Sequence, residues 1–159
     1  MTLPNIEVKY VYENKIQEWF DENVRKADFT PFYQAMRAQD TQKMEEFINN
    51  QLNFSITYHD EGERFYHGYL LGILGRMGGC KILSNREQGT GRTDIIVRPN
   101  NPHHPAFVIE IKRVKNFAKQ DAACDEALGQ IKKRGYATEL LHDGYDKVIC
   151  YGICFCDKY

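Results

Sequence analysis

Three side chains between residues 89 and 113, Asp94, Glu110 and Lys112, have the types and spacing to hydrolyse a charged ester. Successive side chains of a strand point to opposite faces, so Glu110 and Lys112 share one face and Ile111 takes the other. If the apolar runs around Asp94 and Glu110 pair as a hairpin, Asp94 joins that face. Two carboxylates and an ammonium at one sheet edge suit a hard divalent cation and an activated water. The chemistry expected is that of a metal-dependent phosphodiesterase. Ile95, Ile96 and Val97 follow Asp94, and Phe107, Val108 and Ile109 precede Glu110. A charge among such neighbours is costly without a partner. A cation is one partner; an arginine such as Arg92 or Arg113 is another.

The surrounding pattern supplies the elements that must hold these groups. Short strands are expected over residues 80–83, 93–97 and 106–111, and a last one over 147–155. A broad apolar face from Phe65 to Met77 predicts a helix over 63–77, stopped by Gly78-Gly79. A second helix is expected over 118–134, stopped by Gly135, and a short one over 136–141. Ahead of them lie three helical stretches. Residues 11–26 carry apolar side chains at helical spacing, Thr30-Pro31 opens the next, and Asp40 or Thr41 caps a third running through Leu52. The expected fold class is α/β: an α-β-β-β-α-β core (residues 59–159) with a small mixed sheet flanked by helices, preceded by a helical segment (1–58) packing on it.

Composition narrows the function classes. The chain has 159 residues, 42% hydrophobic and 27% charged, which describes a globular protein with a sizeable core. No run of 18 apolar residues and no apolar signal core is present, so neither a membrane span nor secretion is expected, and the cytoplasm is the expected location. The net charge of −1 conceals a gradient. Residues 1–60 carry 6 basic and 10 acidic side chains (net −4), and residues 61–159 carry 15 and 12 (net +3). The second segment is therefore the better surface for a polyanion. Five cysteines (Cys80, Cys124, Cys150, Cys154, Cys156) form no C-x-x-C pair. They read as small apolar residues of a reducing compartment rather than as zinc ligands or disulfides.

An ordered set of motifs resembles the PD-(D/E)XK nuclease superfamily. The set comprises Glu63-Arg64-Phe65-Tyr66-His67-Gly68, Asn85-Arg86-Glu87, Gly89-Thr90-Gly91-Arg92-Thr93-Asp94, Ile109-Glu110-Ile111-Lys112 and Ala127-Leu128-Gly129-Gln130-Ile131. More closely, it is similar to the bacterial nuclease-like domain found behind an AAA-type ATPase domain, and Leu3-Pro4-Asn5-Ile6-Glu7-Val8 looks like the join after that ATPase. The resemblance implies a restriction-endonuclease-like core and Mg²⁺ (or Mn²⁺) dependent cleavage of nucleic acid, with DNA the expected substrate. It also implies an AAA-type ATPase domain as a partner. By the same resemblance, Asp94, Glu110 and the carbonyl of Ile111 hold the metal, Glu63 reaches it through water, and Lys112 orients the attacking water. Gln130 and Tyr136 match a further motif that fixes Lys112 or contacts the substrate. Thr93 stands where the superfamily has proline before its first acidic residue.

Other residues admit two readings. Glu63 and His67, four apart on one helix, either both face the site or are solvated or satisfied by hydrogen bonds. Glu87 either serves the site or pairs with Arg86 or Arg92. Gly89 and Gly91 either let a phosphate approach the backbone, though no GK[ST] follows to make a nucleotide loop, or shape a tight strand entry. His103-His104, between Pro102 and Pro105, reads as a solvated hairpin loop. The basic cluster Lys112, Arg113, Lys115, Lys119, Lys132, Lys133 and Arg134 either tracks a phosphate backbone or forms an ordinary solvated helix end. The rival to a nuclease is a catalytically inactive nucleic-acid-binding or interaction domain that serves an ATPase.

Overall fold

The computed structural model describes Glu22 and residues 26–55, 63–84 and 94–156. The helix expected over residues 11–26 therefore falls almost wholly outside the described residues. The chain divides into two compact units, Met1–Thr57 and Tyr58–Tyr159.

In the first unit α1 (Thr30–Ala38) carries Pro31 in its opening turn and ends at Gln39, whose φ of 59° is left-handed. Asp40 then caps α2 (Thr41–Ser55), its Oδ1 accepting from the Lys43 N–H at 3.1 Å. This satisfies one of the orphan donors of the first turn. The two helices meet through aromatic rings, with Phe47 5.7 Å from Phe29 and 5.6 Å from Phe32.

The second unit is a four-stranded mixed sheet with helices on both faces. Its elements follow the order α3 (Glu63–Leu74), β1 (Cys80–Ser84), β2 (Ile95–Pro99), β3 (Ala106–Val114), α4 (Gln120–Arg134), α5 (Tyr136–His142) and β4 (Val148–Cys156). The strands lie in the order β1-β2-β3-β4. The first three are antiparallel to their neighbours, and β4 joins β3 in parallel. A parallel pair needs a crossover, which α4 and α5 provide. Gly135, at φ 75°, makes the sharp turn between those two helices. The α/β class and mixed sheet expected from the pattern are thus present. Differences lie at the margins: α3 stops at Leu74 with a turn carrying buried Met77, and β3 runs three residues past Ile111. That extension places Lys112 within a strand.

Parity separates the two faces of β3, which is buried from Ala106 to Ile111. On the odd face Phe107 lies against Tyr151, and α3 covers β4 there, with Tyr66 stacked on Phe155 at 4.2 Å. On the even face Ala106 and Val108 form a core with Ile131 and Leu140 from α4 and α5. Glu110 and Lys112 continue that even face, so the polar site extends an apolar layer. Gly152 lies beside Glu110 in the β3–β4 register. A Cβ there would stand 2.5 Å from the Cys124 carbonyl and 3.0 Å from the Ala127 Cβ. Only glycine lets α4 lie this close to the sheet at the level of Glu110. Cys150, Cys154 and Cys156 line the same face of β4. Burial, with Cys124 and Cys156 nearby, pushes the Cys154 thiol up to about 11, which suits a structural rather than a reactive cysteine. Among the described residues no helix is long and apolar enough to cross a membrane.

Candidate active site

The antiparallel register of β2 and β3 pairs Ile95 with Ile109, and its continuation sets Asp94 opposite Glu110. Asp94 lies one residue before the strand rather than within it. Its backbone and side chain are fastened at three points. The Asp94 N–H donates to Glu110 Oε2 at 3.4 Å, and Asp94 Oδ2 accepts from the Ile111 N–H at 2.8 Å. The Asp94 carbonyl accepts from His67 Nε2 at 3.2 Å. A carbonyl only accepts, so His67 carries its proton on Nε2 in this arrangement. Ser84 Oγ lies 3.2 Å from the same nitrogen. Buried His67 is therefore satisfied by hydrogen bonds and works as a tie between α3, the end of β1 and Asp94.

Glu110 is 5% exposed. Burial raises its pKa above the ordinary value, and the neighbouring Asp94 raises it further; Arg134, the Asp94 N–H and Lys112 oppose them. The upward direction shows that desolvation and the second carboxylate outweigh these partners. The sign for stability follows. An acid whose folded pKa is raised contributes most below its unfolded value, 4.5 for glutamate, and that contribution is lost as pH rises through the folded pKa. In EDTA, the stability of the natural chain relative to Glu110→Gln should therefore fall as pH rises above the ordinary glutamate range. Urea denaturation at a series of pH values checks this, and a difference that does not change with pH would contradict it.

The partner of Glu110 is Arg134, at the end of α4. Its Nη1 lies 3.1 Å from Oε1 and 3.0 Å from Oε2. The arginine described at this carboxylate is Arg134; Arg92, one of the two candidates from the sequence, lies outside the described residues. Lys112 reaches Glu126 on α4, Nζ to Oε1 at 3.1 Å, and Gln130 Nε2 donates to the same oxygen at 3.1 Å. Gln130 thus connects to Lys112 through Glu126, a residue that the sequence pattern did not single out. Glu126, Gln130 and Arg134 follow one another at intervals of four, the signature of a single helix stripe. That stripe faces the even side of β3.

The remaining candidates scatter. Glu63 opens α3, but its side chain lies outside the described residues, as do Asn85–Thr93 with Glu87, Gly89 and Gly91. Tyr136 packs into the apolar cluster with Ile131 and Leu140. Exposed His103 and His104 sit in the β2–β3 turn, at the opposite end of β3 from Lys112, where His103 Nδ1 meets Asp146 Oδ2 at 2.6 Å. Lys115, Lys119, Lys132 and Lys133 are exposed. Among the described residues no group of three or more His, Cys, Asp or Glu side chains converges on one point. The described donor set is two carboxylates, Asp94 just ahead of β2 and Glu110 on β3, beside the Ile111 peptide. Hard oxygen donors of this kind fit a divalent cation of the Mg²⁺ or Mn²⁺ type, and a buried carboxylate beside a second one is a site that welcomes positive charge.

Residues 61–159 match the family model of the PD-(D/E)XK nuclease superfamily. The comparisons with curated proteins and with solved structures give no match. The matched span contains the whole sheet, its flanking helices and each of the groups gathered around Asp94 and Glu110. The mixed four-stranded sheet flanked by helices is consistent with a fold of that kind. This chain belongs to the PD-(D/E)XK nuclease superfamily.

Proposed function

We propose that the chain is a metal-dependent nuclease that hydrolyses phosphodiester bonds of DNA with a water activated at Asp94 and Glu110. One observation carries the reading: the paired strands set Asp94 opposite Glu110, hydrogen-bonded to it, with Lys112 two residues further along the same face. Asp94, Glu110 and the Ile111 backbone would hold Mg²⁺ or Mn²⁺, with Glu63 reaching it through water. When bound, the ion lowers the pKa of a water and polarises a phosphoryl oxygen. The chain's own groups do the rest. Lys112, held by Glu126, orients the attacking water and offsets charge that builds on the phosphate. Gln130 steadies Glu126. Burial of Glu110 keeps bulk water from competing with these contacts. Exposed Lys115, Lys119, Lys132 and Lys133 would meet the nucleic-acid backbone. A cytoplasmic, bacterial setting and an AAA-type ATPase partner complete the reading.

The Arg134–Glu110 ion pair favours a second reading. An internal counter-ion already neutralises the carboxylate, as it would in a catalytically silent binding module. Labelled plasmid, linear duplex, single-stranded DNA and RNA, each incubated with Mg²⁺, Mn²⁺ or EDTA, separate the two. Cleavage of DNA that needs the metal and stops in EDTA is the expected result. No cleavage of any substrate, together with no Mn²⁺ binding by calorimetry, would sink the nuclease and leave the binding module.

A further inference from the structure

We infer that Arg134 is the resident counter-ion of Glu110, so that a divalent cation binds by displacing a guanidinium which the fold has placed there. The inference rests on the metal-dependent reading of the site and deepens it. A single nitrogen, Arg134 Nη1, lies 3.1 and 3.0 Å from the two oxygens of Glu110. It sits astride the edge of the carboxylate that a cation would have to approach. Glu110 is buried, with its side chain 6% exposed, whereas the Arg134 side chain is 24% exposed. The carboxylate is thus fixed in the sheet while the guanidinium has a path to solvent.

The position of Arg134 in the chain suits such an exchange. It is the last residue of α4, and Gly135 breaks the helix immediately after it. A guanidinium stays charged at every working pH, so in the absence of metal it neutralises Glu110 at all of them. Lys112 already has its own carboxylate in Glu126. The metal-free site therefore holds two cation–carboxylate pairs, and Asp94 is held by the Ile111 N–H. An incoming divalent ion would meet repulsion from Arg134 and compete with it for the Glu110 carboxylate. The free chain consequently binds metal more weakly than its carboxylates alone would allow.

Calorimetric titration of the full chain with Mn²⁺, compared with Arg134→Met and Arg134→Lys, tests this. Removing a unit charge at such a distance should tighten Mn²⁺ binding roughly tenfold in Arg134→Met, while Arg134→Lys, which keeps the charge, stays near the natural affinity. In EDTA the Met variant should melt below the natural chain, and saturating Mn²⁺ should narrow that gap as the ion becomes the counter-ion of Glu110. A folded Met variant that binds Mn²⁺ no tighter than the natural chain overturns the inference, and Mn²⁺ binding by the natural chain then leaves the metal reading standing. Absence of Mn²⁺ binding in both overturns the metal reading, and this inference with it. Should Arg134→Met fail to fold, the natural chain decides by nuclear magnetic resonance. The Arg134 side-chain N–H signal should move on Mg²⁺ saturation, and an unmoved signal overturns the exchange.

Discussion

Asp94→Asn is expected to reduce metal-dependent DNA cleavage by about a thousandfold or more, because the lost ligand charge removes several kcal/mol of transition-state stabilisation. The substitution is chosen for what it leaves in place. Asp94 Oδ2 accepts from the Ile111 N–H at 2.8 Å, while the Asp94 N–H and carbonyl bind Glu110 and His67. An asparagine oxygen can accept the same bond, and neither backbone contact needs the carboxylate. Folding should therefore survive while the site loses one of its two carboxylate donors. Steady-state cleavage of labelled plasmid, read beside a thermal melt of each protein, separates the two effects. Cleavage within tenfold of the natural chain, with Mn²⁺ binding unchanged, would remove Asp94 from the site. The same measurement on Glu110→Gln is less clean, because the loss of that charge also leaves Arg134 without its carboxylate.

Alternation together with an assumed hairpin was enough to expect Asp94, Glu110 and Lys112 on one face, since strand parity and antiparallel pairing are local rules and residues 94–112 span only one hairpin. The apolar runs and glycine stops likewise located the strands and helices of the second unit to within a few residues. Cross-element placement was not legible. Arg134 follows Glu110 by 24 residues and Glu126 follows Lys112 by 14. Which basic or acidic side chain meets a given strand residue depends on how α4 lies across the sheet. That is set by the close approach at Gly152 and by the packing of Ile131 on Val108, neither of which is a periodic signal. The partner of the buried carboxylate was anticipated as a metal or an arginine, and Arg134 was grouped instead with a basic cluster read either as a phosphate track or as a solvated helix end. Its stripe with Gln130 and Glu126 at intervals of four was the available clue. The sequence leaves His67 open between facing the site and being solvated or hydrogen-bonded, because its partners, Ser84 at the end of β1 and the Asp94 carbonyl before β2, come from other elements.

Lys112→Met should lower the cleavage rate by roughly 10²- to 10³-fold, the range seen when one preorganised transition-state donor is removed. Glu126→Gln should lower it by roughly 10- to 100-fold, the usual range for a group that orients an active residue without touching substrate. The two losses are not expected to add. Glu126 acts through Lys112, whose Nζ it holds at 3.1 Å, so once the ammonium is gone nothing remains for it to position. The double variant should therefore be no slower than Lys112→Met, a coupling as large as the whole Glu126 effect. The Glu126 side chain is 63% exposed, so the melting temperature should barely move, and a fold defect would not mimic the kinetic one. The loss should fall on kcat rather than on KM, because the contact with Gln130 and Lys112 shapes the attacking geometry and not the docking of the backbone. Full additivity in the double variant would mean that Glu126 works independently of Lys112, and its role would then have to be sought at the metal or in the substrate groove.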